Sequence, residues 1–153
     1  MNGQFKLVPE ALETVDARGK DEILAALSAL FSRVYDLDSD AVLEGLEERE
    51  KLGSTGFGRG VAIPHARMDG INRPLAALLR LENPVDFDAA DGMPVDLVIG
   101  LLSPVNAGAT HLHALAALSR LVRDEEIHRA LCEASDHETL FALLTNVTDR
   151  DAA

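Results

Sequence analysis

The sequence predicts a single α/β domain in which helices cover both faces of a mixed β-sheet. Amphipathic helical patterns occupy the first and last thirds of the chain, and short apolar runs bounded by Gly and Pro lie between them. The chain has 153 residues, 47% of them hydrophobic, which suffices for one hydrophobic core. We therefore expect one domain over residues 1–153.

Two helices are predicted before the sheet. In Asp21–Tyr35 the apolar residues recur at helical spacing, and acidic residues occupy the first turn, where the helix dipole favours negative charge. A second helix is predicted over Ser39–Lys51, with Ser39 as its N-cap and Gly53 as the left-handed residue that ends it.

Three helices are predicted after the sheet. The first begins at Thr110, which has the side chain of an N-cap, and apolar residues line one of its faces. Helical patterns then continue almost to the end of the chain. The predicted ranges are Thr110–Arg123, Glu125–Glu133 and His137–Leu144, the last capped by Ser135 or Asp136.

The middle of the chain predicts β-strands. Thr55–Phe57 and Val61–Ile63 flank a Gly-Arg-Gly sequence and predict a tight hairpin. Leu75–Leu81 is predicted to be a strand with at least one buried face. Val95–Leu102 is almost wholly apolar, so we expect it to be a central strand covered on both faces.

The charge and composition of the chain limit its partners. Its net charge of −12 repels phosphate backbones, so nucleic acid is not an expected partner. No apolar run approaches the ~18–20 residues of a membrane span, and the N-terminus lacks a secretory signal, so we expect a protein that is not membrane-embedded. A single cysteine, Cys132, excludes a disulfide framework and a cysteine-based zinc cage, favours a cytoplasmic location, and is interpreted as a small packed residue.

One segment departs from this acidic background. Between Arg49 and Met68 four basic residues stand against Glu50 alone, which gives the segment a net charge of +3. Such a cluster indicates a local site for an anion; the alternative is chance clustering.

Several familiar motifs are absent from the chain. It has neither the phosphate-binding loop of nucleoside triphosphatases nor the serine elbow of α/β-hydrolases. The glycines of Gly56–Gly60 lack dinucleotide-binding spacing, and Pro64 stands where the required helix would follow. The histidines are the remaining candidates for chemistry.

His65 is the strongest of these candidates. It follows a predicted strand and Pro64, which stiffens the backbone, and Arg49 and Arg67 are close in sequence. Without an acidic residue nearby to orient it, the imidazole suits a triad poorly, but it suits a nucleophile toward phosphorus. Arginines and a helix N-terminus at Thr110–Leu112 would supply donors to the phosphoryl oxygens.

The other histidines are placed by helical geometry. At ~100° per residue, His111 lies on the apolar face of its helix and His113 on the opposite face, so the two cannot share a zinc ion as they would on a strand. His111 is then either a hydrogen-bonded structural residue or part of a site at the start of the helix. His128 and His137 are expected on the surface, and we predict no metal ligand and no cofactor.

The segment from Arg49 to His65, REKLGSTGFGRGVAIPH, closely resembles the signature of the enzyme IIA domain of the phosphoenolpyruvate-dependent phosphotransferase system, in its fructose/mannitol class. Thr110–Leu112, with Leu115 and Leu118 after it, is similar to the second histidine segment of that class. The resemblance extends over essentially the whole chain and implies a mixed β-sheet with helices on both faces.

The resemblance also implies a site. Nε2 of His65 would accept a phosphoryl group from an HPr-like phosphocarrier, His111 would help to hold it, and Arg49 would lie close by. The chain would then be a transfer component that works through a phosphohistidine, not a self-standing kinase. Arg59 and Ala66 depart from the usual pattern beside the histidine, and these departures bear on the choice of partner.

Three functions are left open. The lone domain most resembles the nitrogen-regulatory branch of the family, whose members bind a target protein in one phosphorylation state. A second function is a soluble IIA component that passes the phosphoryl group to a separate IIB protein for fructose/mannitol-type sugar uptake. A third is a non-catalytic binding module in which His65 is structural.

Overall fold

The protein forms one mixed sheet flanked by helices in a computed structural model that describes the backbone of residues 4–152 and the side chains of residues 4–145. After a 3₁₀ turn at Pro9–Ala11, the elements are β1 (Leu12–Val15), α1 (Lys20–Tyr35), α2 (Ser39–Lys51), β2 (Gly56–Gly58), β3 (Val61–Ala62), β4 (His65–Met68), β5 (Leu75–Val85), β6 (Val95–Pro104), α3 (Ala109–Arg123), α4 (Glu125–Glu133) and α5 (His137–Ala152).

Strand β6 is the centre of the sheet. The strand order is β1-β5-β6-β3-β2, and β4 also pairs with β6. Strands β3 and β4 run parallel to β6, β5 runs antiparallel to it, and β1 runs parallel to β5. Apart from the partly buried Asp96, the residues of β6 are buried, which confirms the prediction of a central strand.

Successive residues of β6 show that helices cover both faces of the sheet, as predicted. A methyl group at Gly100 would lie only 2.7 Å from Leu27 and 2.8 Å from Phe31, so α1 packs directly on this face. Ile99 points to the other face, where it lines a small apolar cavity with Leu118 of α3 and Leu144 of α5.

The ends of three helices differ in part from the prediction. The carboxylate of Asp38, not Ser39, caps α2 by accepting a hydrogen bond from the backbone N–H of Asp40 at 3.0 Å. Helix α3 is preceded by Gly108 with φ +56°, so Thr110 lies inside its first turn and is not the N-cap. Glycine adopts this backbone conformation at little cost, and this advantage outweighs the preference for threonine as an N-cap residue. Asp136, one of the two predicted caps, accepts from the N–H of Thr139 at 2.7 Å.

The predicted strands are present, and two further strands were missed. The hairpin pairs β2 with β3 around Arg59 and Gly60, both of which have positive φ. The sequence did not predict β1 or β4. Only one of the four residues of β1 is fully buried, so it lacks a strong apolar pattern.

The described residues include no helix with the length and hydropathy needed to cross a membrane.

Candidate functional site

The three residues singled out by the sequence meet in one groove. The groove has a volume of about 400 Å³ and lies between α2, β4 and the start of α3. It is lined by Gly45, Glu48, Arg49, Leu52, His65, Ala66, Arg67 and His111. Residues from three separate elements therefore converge on the imidazole of His65.

His65 occupies a break between two strands that pair with β6. Strand β3 ends at Ala62 and β4 begins at His65, which is paired with Leu101. Pro64 lies in the break, where its lack of an N–H is tolerated, and its carbonyl accepts a hydrogen bond from the N–H of Leu101 at 3.0 Å. His65 therefore starts a strand, whereas the sequence predicted it at the end of one.

Two hydrogen bonds define one tautomer of His65. Nδ1 lies 2.9 Å from the carbonyl oxygen of Ile63, which can only accept, so Nδ1 carries the proton. Nε–H of Arg49 donates to Nε2 of His65 at 3.2 Å, which requires a lone pair on Nε2. The two contacts agree, and together they leave Nε2 as the basic and nucleophilic nitrogen.

The electrostatic surroundings keep this imidazole neutral. Burial lowers the pKa of His65 below its ordinary value, and the cation of Arg49 lowers it further. The hydrogen bond to Ile63 and the carboxylate of Glu50 act in the opposite direction but do not reverse the shift. At neutral pH the ring therefore keeps the lone pair that nucleophilic attack requires.

Hydrogen bonds from the last turn of α2 connect the groove with the start of the hairpin. Arg49 also donates from Nη1 to the carbonyl of Gly53 at 2.9 Å, which fixes its guanidinium beside His65. The carboxylate of Glu50, only 5% exposed, accepts from Lys20 at 2.9 Å and from both the N–H and the hydroxyl of Thr55. Sequence reasoning missed this role of Glu50, although its place inside the Arg-Glu-Lys signature was a usable signal.

His111 stands beside His65 on the buried face of α3. Its ring centroid lies 5.5 Å from that of His65, and the residue is 6% exposed. A hydrogen bond of 2.6 Å joins its Nδ1 to the hydroxyl of Ser103 on β6. Burial, followed by Arg67 and His65, lowers the pKa of His111 to about 4, so this ring is also neutral at pH 7.

The predicted register of α3 is confirmed, whereas one of the three amides predicted to donate to phosphoryl oxygens already has a partner within the protein. His111 is buried and His113 is exposed, as helical geometry required. The N–H of Thr110, however, donates to the carbonyl of Ala107 at 3.1 Å. This amide is already paired, and the residue that α3 contributes to the lining of the groove is His111.

The basic residues of the segment from Arg49 to Met68 do not all face the groove. Of its four basic residues, Arg49 and Arg67 line the groove. The guanidinium of Arg59 instead donates to the carbonyl of Arg123 at 3.3 Å, away from His65. The anion site predicted from the whole segment is thus smaller than its net charge suggested.

Ala66, which departs from the usual pattern beside the histidine, is accommodated by a neighbouring glycine. Ala66 is 7% exposed and faces α2, where a methyl group on Gly45 would lie 3.3 Å from its Cβ. The absence of a side chain at Gly45 therefore leaves room for the methyl of Ala66 beside the groove.

The histidines of α4 and α5 have different environments. His137 is exposed, as predicted. His128 was predicted on the surface, but it is partly buried and its Nε2 lies 2.7 Å from Oδ1 of Asp96. Cys132 packs against the core as expected, and it also lies close to this ion pair.

The fold and the groove define an α/β protein whose histidine presents a lone pair beside two arginines and a second neutral histidine. The model of the family described as "Phosphoenolpyruvate-dependent sugar phosphotransferase system, EIIA 2" matches residues 10–147. The chain belongs to this family of phosphoryl-transfer components.

The similar proteins include nitrogen regulatory proteins and a sugar-specific EIIA component. A nitrogen regulatory protein from Bradyrhizobium diazoefficiens is 40% identical over 139 residues, which cover 90% of this chain and 91% of that protein. A fructose-specific EIIA component from Haloferax volcanii is 38% identical over 86% of this chain and 84% of its own length. The crystal structure of nitrogen regulatory protein IIA-Ntr from Neisseria meningitidis superposes with a TM-score of 0.84, at 37% identity, over 90% of this chain and 95% of that chain.

Proposed function

We propose that the protein is a regulatory phosphocarrier. Nε2 of His65 accepts a phosphoryl group from an HPr-like carrier, and a target protein distinguishes the phosphorylated from the unphosphorylated form. The observation that carries the proposal is the tautomer of His65, which places the proton on Nδ1 and the lone pair on the nitrogen that faces Arg49.

The transfer step needs only the groups in the groove and a phosphohistidine donor. The lone pair of Nε2 attacks phosphorus, the donor's N–P bond breaks, and its electron pair returns to the donor nitrogen. Nδ1 keeps its proton, which remains donated to Ile63. The positive charge that develops on the ring lies next to the phosphoryl oxygens and offsets part of their charge.

Each neighbour of His65 has a role in this proposal. Arg49 moves its hydrogen bond from Nε2 to a phosphoryl oxygen, and Arg67 adds a second cation at the rim. Nδ1 of His111 lies 2.6 Å from the hydroxyl of Ser103. The proposed role requires the tautomer in which Ser103 donates to Nδ1, so that the N–H at Nε2 is available to a phosphoryl oxygen. A charge-assisted hydrogen bond contributes about 1.5–3 kcal/mol, so these contacts would stabilise and orient the phosphoryl group that the N–P bond holds.

The regulatory output follows from the change in charge. Phosphorylation adds about −1.5 to −2 charges at neutral pH, which offsets the two arginines that line the groove. A target that docks here by charge complementarity should prefer one state by at least about tenfold, or ~1.4 kcal/mol. The similarity to nitrogen regulatory proteins favours this output.

A second candidate function differs only in the acceptor. A soluble IIA component for sugar uptake would use the same histidine and pass the phosphoryl group to a cysteine on a separate IIB protein. The similarity to a fructose-specific EIIA component supports it.

The phosphorylation site is tested by mass spectrometry. The protein is incubated with phosphoenolpyruvate, enzyme I and an HPr-like carrier, and the modification is mapped. We expect one acid-labile phosphoryl group on His65, none in His65→Ala, and unchanged labelling in His113→Ala. Labelling that persists in His65→Ala would remove the assignment to this residue, and the absence of labelling in wild type would leave the binding-module function.

The output is tested with the phosphorylated protein. A pull-down compares phosphorylated protein, wild type and His65→Ala, and affinities are measured for each recovered target. A difference of tenfold or more supports regulation, and equal affinities contradict it. Rapid loss of the phosphoryl group to a purified IIB protein instead supports sugar uptake.

A further inference from the structure

A second cluster of reactive side chains lies outside the groove of His65. Asp96 is at the start of β6, and His128 and Cys132 are on α4. A carboxylate oxygen, an imidazole nitrogen and the sulfur of these residues all lie within 4.8 Å of one another, and each residue is partly exposed. The closest pair is Nε2 of His128 and Oδ1 of Asp96, at 2.7 Å.

The positions of the three residues suit metal binding. His128 and Cys132 are four residues apart on a helix, so their side chains share one face. Asp96 comes from the start of the central strand, where its N–H donates to the carbonyl of Gly60 at 3.0 Å. The strand and one helical turn therefore bring three donors together, and partial exposure leaves a path for an ion.

The donor set and its spacing match zinc. Zn²⁺ takes nitrogen, sulfur and oxygen ligands at about 2.0–2.3 Å in a tetrahedron, which puts donor atoms about 3.3–3.6 Å apart. The nitrogen–oxygen pair must open by about 0.6 Å from its present separation of 2.7 Å, and the sulfur must approach by up to about 1.2 Å from its limit of 4.8 Å.

We infer that Asp96, His128 and Cys132 form a binding site for a zinc-class transition metal ion, with water as the fourth ligand. The single cysteine rules out a cage built of several cysteines, but a site of three mixed ligands needs only one. Three protein ligands and an open position are the usual composition of non-structural zinc sites.

Binding exchanges protons for the metal ion. The hydrogen bond that His128 donates to Asp96, followed by that to Cys132, raises the pKa of His128 to about 10, so the free protein holds an imidazolium at neutral pH. The ion takes the lone pair of Nε2 and the thiolate of Cys132. The imidazolium proton and the thiol proton are released to solvent.

The site lies directly behind the hairpin of the signature. A methyl group on Gly60 would be 2.9 Å from Cε1 of His128 and 3.3 Å from a carboxylate oxygen of Asp96. The N–H groups of Asp96 and Leu97 both donate to the carbonyl of Gly60, at 3.0 and 3.2 Å. A bound ion would therefore fasten α4 to β6 beside this turn, and it should raise the thermal stability of the folded protein.

Titration with Co²⁺, which takes the place of Zn²⁺ and is coloured, tests the site. The reduced wild-type protein should bind one equivalent, with a thiolate-to-cobalt absorption in the near ultraviolet, and Zn²⁺ should displace it. Cys132→Ser should lose the thiolate absorption, and Asp96→Asn should weaken binding by at least tenfold. His137→Gln, a change at an exposed histidine outside the cluster, should leave both properties unchanged.

The same series can overturn the proposal. Circular dichroism establishes that each variant is folded, and Cys132→Ala provides a second variant should the serine destabilise the helix. Absence of the thiolate absorption in wild type, or its persistence in a folded Cys132 variant, contradicts the site. Loss of binding in His65→Ala would place the metal in the groove instead and equally overturn the assignment.

Discussion

His65 and His128 are both partly buried histidines in which Nε2 meets a charged side chain, but the two charges are opposite. Beside His65 stands the cation of Arg49, which adds to the effect of burial and lowers the pKa of the ring. Beside His128 stands the anion of Asp96, which raises the pKa to about 10. The first ring keeps its lone pair at neutral pH, whereas the second keeps a proton.

The comparison shows that burial lowers the pKa of both rings, and that a charged partner reverses this effect only where it is a carboxylate, as beside His128. The cation at hydrogen-bond distance from His65 adds to the effect of burial and leaves a nucleophile ready to meet an anionic phosphoryl group. A carboxylate in the same place turns the ring into a structural ion pair. The same pair becomes a set of ligands only when a metal ion displaces the proton.

The largest effect is expected from reversing the charge beside His65. Arg49→Glu would give His65 the kind of partner that His128 has, raise the pKa of the ring and repel the incoming phosphoryl group. Phosphoryl transfer should slow by about a thousandfold, or ~4 kcal/mol, because like charges in contact cost several kcal/mol. The initial rate of phosphorylation measures the slowing of transfer, and an NMR titration measures the pKa of His65.

Lys51→Glu is the control for that substitution. It makes the same change of charge two residues away, at an exposed side chain that does not line the groove. We expect a loss of less than tenfold. Equal losses in the two variants would mean that the net charge of the segment, and not contact with His65, controls transfer.

A large loss of stability is expected where His128 covers the hairpin. Gly60 has φ +86°, and an added methyl group would contact His128, whereas Gly70 has φ +84° and open space around it. Gly70→Ala should cost about 1–2 kcal/mol for the left-handed backbone. Gly60→Ala should cost about 1–3 kcal/mol more because of overpacking. Urea unfolding of the two variants measures the difference, and equal costs would show that His128 leaves room at Gly60.

A moderate effect is expected from the second histidine of the groove. His111→Ala should slow transfer to His65 by about tenfold, or ~1.4 kcal/mol, because it removes one donor to the phosphoryl group. His113→Ala changes an exposed histidine of the same helix and should match wild type in the same assay. Equal effects of the two substitutions would contradict the role proposed for His111.

The last effect is a dependence of stability on pH. The folded pKa of His111 is about 4 and its ordinary value is 6.5, so between these values the unfolded chain binds a proton that the folded protein does not. The stability associated with His111 should therefore fall as the pH drops from 6.5 toward 4. His128 behaves oppositely: its contribution is complete below 6.5 and lost as the pH rises through about 10.

Urea midpoints at pH 7 and pH 5 test the acid side of this dependence. The urea concentration at the unfolding midpoint should fall further between pH 7 and pH 5 for wild type than for His111→Gln, because glutamine has no proton to take up. His137→Gln, at an exposed position, should behave like wild type. An undiminished acid sensitivity in His111→Gln would assign the effect to other groups.

Much of the fold could be predicted because periodicity is local. The apolar spacing in α1 and α3 placed both helices to within one residue at each end, and it set His111 and His113 on opposite faces. The apolar run of β6 likewise identified the central strand. These features depend on neighbouring residues in the chain.

The missed features depend on contacts between distant residues. Asp96 and His128 are 32 residues apart, and nothing near His128 in the sequence indicates a carboxylate against its ring. Strand β4 is recognisable only through its pairing with β6, since it has four residues and only one of them, Ala66, is buried. The contact of Arg49 with His65 was expected from family resemblance, and only the fold gave its atoms and direction.

The break between β3 and β4 has a consequence for how the protein works with several partners. The proton of His65 is fixed by a carbonyl only two residues earlier, so the ring is prepared within one short piece of backbone. Docking energy from a donor or acceptor is then not needed to select the tautomer. Any partner that brings a phosphorus atom or a leaving group into line with Nε2 meets the same nucleophile, and the rates of different partners should depend on how each one places its own reacting group.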